Sequence, residues 1–560
     1  MNYYIQLKKS NCKNCYKCIR HCPVKSIRFA DHQANIVKEQ CILCGECFVA
    51  CPQNAKQIRD DVSKVKTLLA SGKPVYASIA PSFVANYPEA DIASLSETLQ
   101  KLGFAGAEET AIGATIVKKR YEEMVSVSSG KAIISSCCHT VNSLIQKHYP
   151  EALPYLAEVL SPMQAHCKRL KEIYPDAYTV FIGPCISKKE EAELYPDIVD
   201  CALTFEELTS WLTEENITVS PKNSAEAGTE GRARLFPVPG GIIRSMYVEQ
   251  SSYDFVAIDG IENCKKAIEN VISGELKNCF IEMSACTGSC AGGPGMDQGH
   301  RALLSDYLRI NHYAGEKDFL LQEPSSEQLT RKFTYLGTHN QMPGSAAITE
   351  ILRKMGKSSE EKELNCGSCG YNTCREKAIA VYQGKADLTM CLPFLKEKAE
   401  DFSDNIIYNM PDGVLVLNEE LEVQQINRAA RGILNIKHKS DILNAPVIRI
   451  LNPSIYLEVM NTGKNVHNKL TYLTDYQRYV EETVIYDKTY HIIISIMRDI
   501  TAEEKARLKK DQVSRRTMEI TDKVIEKQMR IVQEIASLLG ETTAETKIAL
   551  TNLKETLSNE

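Results

Sequence analysis

The chain has 560 residues, with 66 Lys and Arg against 72 Asp and Glu for a formal net charge of −6, 43% hydrophobic residues and 21 cysteines. That length calls for about three to five domains. Basic residues are scattered and no run approaches the ~20 apolar residues needed to cross a bilayer, so no nucleic-acid and no membrane partner is expected. So many cysteines without a secretory segment point to a reducing, cytoplasmic compartment and to an anaerobic cell.

Residues 1–60 open with two copies of one pattern, Cys12-x2-Cys15-x2-Cys18-x3-Cys22-Pro23 and Cys41-x2-Cys44-x2-Cys47-x3-Cys51-Pro52. In this spacing the first three thiolates of each run hold one 4Fe-4S cube and the fourth crosses to the other. Cys12, Cys15, Cys18 and Cys51 are therefore expected at one cluster, and Cys41, Cys44, Cys47 and Cys22 at the second. A disulfide framework is the competing reading, disfavoured because no pairing scaffold follows. The segment resembles the bacterial two-cluster ferredoxins, which implies electron transfer to another part of the chain.

From residue 61 to 355, short apolar runs such as Val75-Tyr76-Ala77-Ser78-Ile79 alternate with amphipathic segments, the pattern of an α/β domain. Residues 220–234 read as a polar loop and 354–363 as a charged linker. Three cysteine elements punctuate the domain: Ser136-Cys137-Cys138, Gly183-Pro184-Cys185 continuing to Lys188 and Glu191, and Cys286-Thr287-Gly288-Ser289-Cys290. Over residues 73–295 their order and spacing resemble the signature elements of the FeFe hydrogenases. The resemblance implies an H-cluster, a 4Fe-4S cube joined through one cysteine to a two-iron site with CO, CN and a bridging dithiolate. Cys138, Cys185, Cys286 and Cys290 would be its cube ligands, with Cys290 also the bridge. Cys137 would be the free thiol that moves protons, and Lys188 a donor to one cyanide. Ala80-Pro81-Ser82 would pack on the diatomic ligands, and Pro239-Gly240-Gly241 would form a turn beside them.

Departures from the resemblance carry equal weight. The relay serine of catalytic members falls on Ala157 and their two relay glutamates on Val117 and Arg120, which leaves Cys137 and Glu191 of that proton path. Alkyl side chains pass no protons, so slow turnover is expected. His139, Val141, Gly183, Ser284 and Met163 also replace the residues usual around the cofactor, and changes of this kind tune a metal site.

Residues 360–395 contain Cys366-x2-Cys369-x4-Cys374-x16-Cys391. Four soft thiolates suit zinc as well. The set resembles a small four-cysteine 4Fe-4S domain, which implies a third accessory cluster. Residues 400–501 contain Gly413-Val414-Leu415-Val416-Leu417, Ile426-Asn427-Arg428-Ala429-Ala430 and Arg498-Asp499-Ile500-Thr501, and resemble a PAS domain. They hold no cysteine for a flavin adduct, and His438, His467 and His491 supply no clear haem ligand. In residues 502–560, Ile520, Val524, Ile531, Ile535 and Leu538 lay one apolar stripe along a helical tail suited to homodimer or partner contact.

The whole is expected to be a multidomain α/β and α+β protein: ferredoxin-like domain, α/β H-cluster domain, small Fe-S domain, PAS domain and C-terminal helix. The combination resembles the sensory FeFe hydrogenases. It implies exchange of electrons with dihydrogen and protons, maturation proteins that build the H-cluster, and a signal passed through PAS to a kinase or phosphatase in trans. A catalytic hydrogenase coupled to a ferredoxin-type electron partner, and an Fe-S electron-transfer scaffold lacking the two-iron site, are the competing readings.

Overall fold

The structure, a computed structural model, describes residues 3–30, 33–127, 130–221, 229–248, 252–297, 303–321, 325–337 and 342–557. Of the polar loop expected at 220–234, residues 222–228 lie outside this set. The chain divides into two units, one ending at Leu395 and one beginning at Lys396.

At the N-terminus, two antiparallel ribbons frame the cysteine runs: Ile5–Leu7 with Lys56–Ile58, and Ile27–Ala30 with Gln33–Ile36. The two runs fold alike. Short helices Lys17–His21 and Glu46–Val49 each follow a left-handed residue, Tyr16 with φ 56° and Gly45 with φ 78°. Gly45 is required twice over, because a Cβ there would also lie 2.6 Å from Pro294 Cβ and 3.0 Å from Ile186 Cδ1 of the next domain.

The α/β domain is built on two parallel sheets. One has four strands in the order Gly106–Glu109, Val75–Ile79, Tyr178–Gly183, Cys201–Thr204. The other has three, in the order Asp254–Asp259, Cys279–Ser284, Ile133–Ile134. Helices cover the faces, so Val75, Ala77, Ile79, Val180 and Ile182 are all fully buried and the strands read as apolar runs rather than alternating ones. The carboxyl ends of parallel strands are where such folds place ligands. Ala80, Pro184-Cys185 and Ala285-Cys286 directly follow strand ends, and Cys137-Cys138 lie three residues beyond Ile134.

Buried charge joins the ferredoxin-like domain to this one. Lys189, 1% exposed, donates to Asp61 Oδ2 and Glu207 Oε1, each at 2.8 Å. Arg59 holds Asp61 at 2.9 Å and Glu193 at 2.5 Å, and Lys147 donates to Cys41 O at 2.7 Å. Helices Ser345–Lys354 and Cys374–Tyr382 pack through Leu352, Met355 and Ala378.

The second unit contains a five-stranded antiparallel sheet ordered Val423–Ile426, Gly413–Leu417, Ile492–Asp499, Arg478–Asp487, Val466–Leu473. Helices Arg428–Ile433 and Ser454–Thr462 contribute Ala430, Ile433, Tyr456 and Val459 to its core, giving the PAS-like α+β architecture. Buried Asn427 accepts from Val414 N and Ala430 N and donates to Ile407 O and Asp412 O, which fixes strand and helix together. At the far edge Tyr479 N donates to Thr501 Oγ1 at 3.0 Å and Ile500 N to Tyr479 O at 2.9 Å, so the sheet grips the first residue of helix Thr501–Leu557. Ile520, Val524, Ile531, Ile535 and Leu538 are all exposed along that helix.

Lys189→Met should strand Asp61 and Glu207 as buried anions and cost about 3–5 kcal/mol. Urea unfolding would measure the loss; a cost under about 1 kcal/mol would mean that Arg59 alone satisfies the cluster.

Candidate metal centre

Between the strand ends lies a cavity of about 100 Å³, walled by Ala80, Pro81, Ser82, Cys137, Lys188 and Cys290 among others. Its lining also includes Phe181, Pro237, Ile242 and Met283, so it is largely apolar. Cys138 and Cys185 line the same space. Cys138 caps helix His139–His148, Cys185 lies two residues before helix Ser187–Leu194, and Cys290 sits in the turn Ser289–Gly292.

Burial, and the thiols beside them, push Cys138, Cys286 and Cys290 above the usual thiol range; Cys185 acts on all three, and Cys138 on both Cys286 and Cys290. Four clustered, desolvated thiols form a donor set for a metal cluster, whose binding displaces their protons. Ser82 fits the same purpose. It is fully buried in the cavity wall and its Oγ has no hydrogen-bond partner, an arrangement that suits an acceptor within the cavity.

Lys188 donates to Cys137 O at 3.3 Å and pairs with Glu191. Burial opposes the lysine's charge, but Glu191 outweighs that and holds its ammonium above the ordinary range. Glu191 in turn takes Arg331 at 2.5 Å. Burial pushes its carboxyl up, yet Lys188 and Arg331 prevail and bring it down to about 2. A carboxylate so held is a fixed anion that keeps Lys188 charged, which argues against Glu191 as a proton carrier.

Cys137 is raised to about 12 by burial, against the opposing effects of Tyr121 and Lys188. Tyr121 Oη lies 3.2 Å from both Cys137 Sγ and Ser136 Oγ. Val117 and Ala157 are buried in the apolar cluster that contains Tyr121, and Arg120 pairs with Glu123 at 2.6 Å. His139, 2% exposed, places Nε2 3.1 Å from Glu190 Oε2. Gly183 has a steric cause: a Cβ there would lie 2.6 Å from Phe181 Cζ and 3.0 Å from Ala80 Cβ.

Sequence reasoning missed three residues. Arg331 and Tyr121 have no local motif, and only the fold brings them to Glu191 and Cys137. Glu282 is the one acid in strand Cys279–Ser284, a charge in an otherwise apolar run that could have drawn notice. It accepts from Ile243 N at 3.1 Å, and burial raises it to about 7 against the opposing amides of the Gly240-Gly241 turn. Gly241 is obligatory in that turn, since a Cβ would meet Leu235 O at 1.8 Å.

The remaining cysteines fall into separate groups. Cys12, Cys15, Cys18 and Cys51 line one cavity, and Cys22, Cys41, Cys44 and Cys47 another. In the four-cysteine segment Cys369 senses Cys366 and Cys391, and Lys377 senses Cys369, Cys374 and Cys391. Among the described residues, no group of three or more His, Cys, Asp or Glu is arranged to hold a single metal ion.

Glu191 is lowered from an ordinary 4.5 to about 2, so between those values the folded state binds fewer protons than the unfolded one. It therefore contributes on the order of 3 kcal/mol above pH 4.5, lost as pH falls toward 2. Arg331→Met should raise this carboxyl and shift the acid-unfolding midpoint, followed by circular dichroism, upward. An unmoved midpoint would leave Lys188 as the sole counter-charge.

Residues 73–294 match the family model "Iron only hydrogenase large subunit, C-terminal domain", and residues 4–52 a 4Fe-4S dicluster domain. Residues 363–393 match a model for an Fe-S cluster domain. The chain is 26% identical over 366 residues to the periplasmic [Fe] hydrogenase large subunit of Nitratidesulfovibrio vulgaris, covering 52% of this chain and 86% of that one. It is 25% identical over 338 residues to the NADP-reducing hydrogenase subunit HndD of Solidesulfovibrio fructosivorans, covering 48% and 58%. It thus spans a little over half of that second relative's length. A solved [FeFe]-hydrogenase, HydA(deltaEFG), aligns with 21% identity and a TM-score of 0.39 over 50% of this chain and all of its own. The chain carries an FeFe-hydrogenase H-cluster domain accompanied by 4Fe-4S ferredoxin-type domains.

Proposed function

We propose that the protein is a dihydrogen-sensing FeFe hydrogenase of low turnover, which exchanges electrons between dihydrogen or protons and its clusters and signals through its PAS module to a partner in trans. One observation carries the reading. The cavity keeps Cys138, Cys185 and Cys290, its orphan Ser82 hydroxyl and its charged Lys188, while the path beyond Cys137 at Val117 and Ala157 is apolar packing.

In this reading Cys138, Cys185, Cys286 and Cys290 hold the H-cluster, which supplies the making and breaking of the dihydrogen bond. Lys188 and Ser82 present donors to its anionic ligands, and Ala80 and Pro81 keep water from them. Cys137 Sγ holds the proton nearest the reaction, with Tyr121 Oη as its hydrogen-bonding neighbour. Glu191, assigned to the proton path from the sequence, instead anchors Lys188.

Electrons enter through the domain of residues 1–60, where Cys12, Cys15, Cys18 and Cys51 hold one cluster and Cys22, Cys41, Cys44 and Cys47 the next. Gly45, next to Cys44, packs against Pro294 and Ile186, and Cys44 is among the groups that raise Cys286, which supports transfer to the cube at that junction. Cys15 is exposed, and residues 1–30 contain Lys8, Lys9, Lys13 and Lys17 but no Asp or Glu, which suits an acidic ferredoxin-type partner. A third cluster on Cys366, Cys369, Cys374 and Cys391 is favoured over zinc because residues 363–393 match a model for an Fe-S cluster domain. Domains at 61–355, 360–395, 400–501 and 502–560, a cytoplasmic location, dependence on maturation proteins and a homodimer through the tail complete the proposal. No helix among the described residues is long and apolar enough to cross a membrane.

Infrared spectra of the matured protein under dihydrogen and then inert gas should show CO and CN bands that shift reversibly. Absence of bands, with maturation controls working, would leave an Fe-S scaffold. Val117→Glu with Ala157→Ser should raise turnover at least severalfold if the apolar wall limits it; unchanged rates would reject that cause and favour the catalytic, ferredoxin-linked reading. Deleting residues 515–560 should spare the infrared response and abolish capture of the signalling kinase or phosphatase. Retained capture would remove the tail as output surface.

A further inference from the structure

The four-cysteine segment does not stand apart from the ferredoxin-like domain; it is docked on one side of it. Arg20 donates through Nε to Gly367 O and through Nη2 to Ser368 O, each at 3.3 Å. Lys25 Nζ donates to Gly370 O at 3.1 Å while also holding Ile19 O and Arg20 O at 3.2 and 3.0 Å. Phe29 N donates to Lys385 O at 2.8 Å. Gly370 sits at φ 92°, and a Cβ there would lie 3.0 Å from Ile19 Cβ and 3.2 Å from Tyr16 O, so the loop carrying Cys369 is pressed onto helix Lys17–His21, which carries Cys18 and ends at Cys22.

What fills the junction is informative. Cys22, Cys369, Tyr371, Met390 and Ile19 belong to one buried cluster. Tyr371 is 2% exposed, and its hydroxyl has no hydrogen-bond partner although buried phenols ordinarily find one. The groups it senses are the thiols of Cys369 and Cys22, one from each set. Cys41 and Cys47 pack in the same cluster; of the first run only Cys18 touches its edge, and Cys12, Cys15, Cys18 and Cys51 line a separate cavity.

We propose that the Cys22, Cys41, Cys44 and Cys47 site is a fork. One arm meets the cube across Cys44 and Cys286; the other meets the Cys366, Cys369, Cys374 and Cys391 site across Tyr371 and Gly370. This rests on the cluster reading above. The step is one electron, leaving a reduced 4Fe-4S cluster at the fork and reducing an oxidised one at the four-cysteine site, with no bond or proton changed. Electron tunnelling falls steeply with distance, so the docked face determines which neighbour is served. The cluster at Cys12, Cys15, Cys18 and Cys51 then belongs to a different arm, and the four-cysteine site can follow the redox state of the cube without passing through it.

Electron paramagnetic resonance of the chemically reduced full chain tests this without dihydrogen, so failure of the sensing reading leaves the result intact. Iron analysis should show one 4Fe-4S equivalent lost in Cys369→Ala. The signal lost with it should be split by a neighbouring spin in the parent protein. That splitting should persist in Cys15→Ala, vanish in Cys44→Ala, and weaken at least twofold in Gly370→Leu with iron content unchanged. Splitting that survives Cys44→Ala but not Cys15→Ala, a signal unsplit in the parent protein, or a four-cysteine site without iron would overturn the proposal.

Discussion

The central constraint is the cost of gathering thiols and a lysine in an apolar cavity. Neither tolerates burial alone: the thiols are driven above their usual range, and an uncompensated ammonium would lose its proton. The domain meets the second demand with Glu191, and stabilises Glu191 in turn with Arg331, a buried cation–carboxylate–cation row. Breaking such a row by removing one member costs more than the pair is worth. The segment of residues 325–337 that carries Arg331 is thereby tied to the site although it shares no motif with it. The thiols are left for the metal to neutralise.

The same logic extends outward. Lys189, next in sequence to Lys188, turns to different partners, Asp61 and Glu207. Two adjacent lysines on one short helix thus hold the cavity wall and the segment that follows the ferredoxin-like domain. Gly45 brings the second cysteine run against Pro294 and Ile186, residues that flank Cys290 and Cys185. Close approach there depends on the missing side chain as much as on any attraction.

Features with short sequence range were legible in the sequence. The cysteine runs state their own grouping, because the spacing of a cluster-binding loop is local, and the apolar strand runs declare a parallel sheet covered on both faces. The Asp499-Ile500-Thr501 end likewise marks the point where the sheet grips the long helix. What could not be read depends on side chains brought together across distance. Arg331 lies 140 positions from Glu191, Tyr121 lies 16 from Cys137, and Arg20 lies 347 from Gly367. Glu191 shows the consequence. Its place in a motif suggested a proton carrier, but its protonation is governed by two cations, one of them outside every motif.

An apolar wall beyond Cys137 and an exposed apolar helix pull the function in one direction. Helix Thr501–Leu557 has 57 residues, about 85 Å at 1.5 Å per residue, and its stripe from Ile520 to Leu538 lies open along its length. Isolated helices gain little from propensity alone, so such an element acquires its stability from what it packs against. In the sensing reading proposed above, a site that keeps its thiols while the packing beyond Cys137 is apolar would lose little as a detector, because a detector needs only that its redox states differ in free energy for a partner, and would lose much as a catalyst. The clamp of Thr501 by Tyr479 joins the helix to the five-stranded sheet, and under that reading it is the contact through which a change in the sheet would reach a partner.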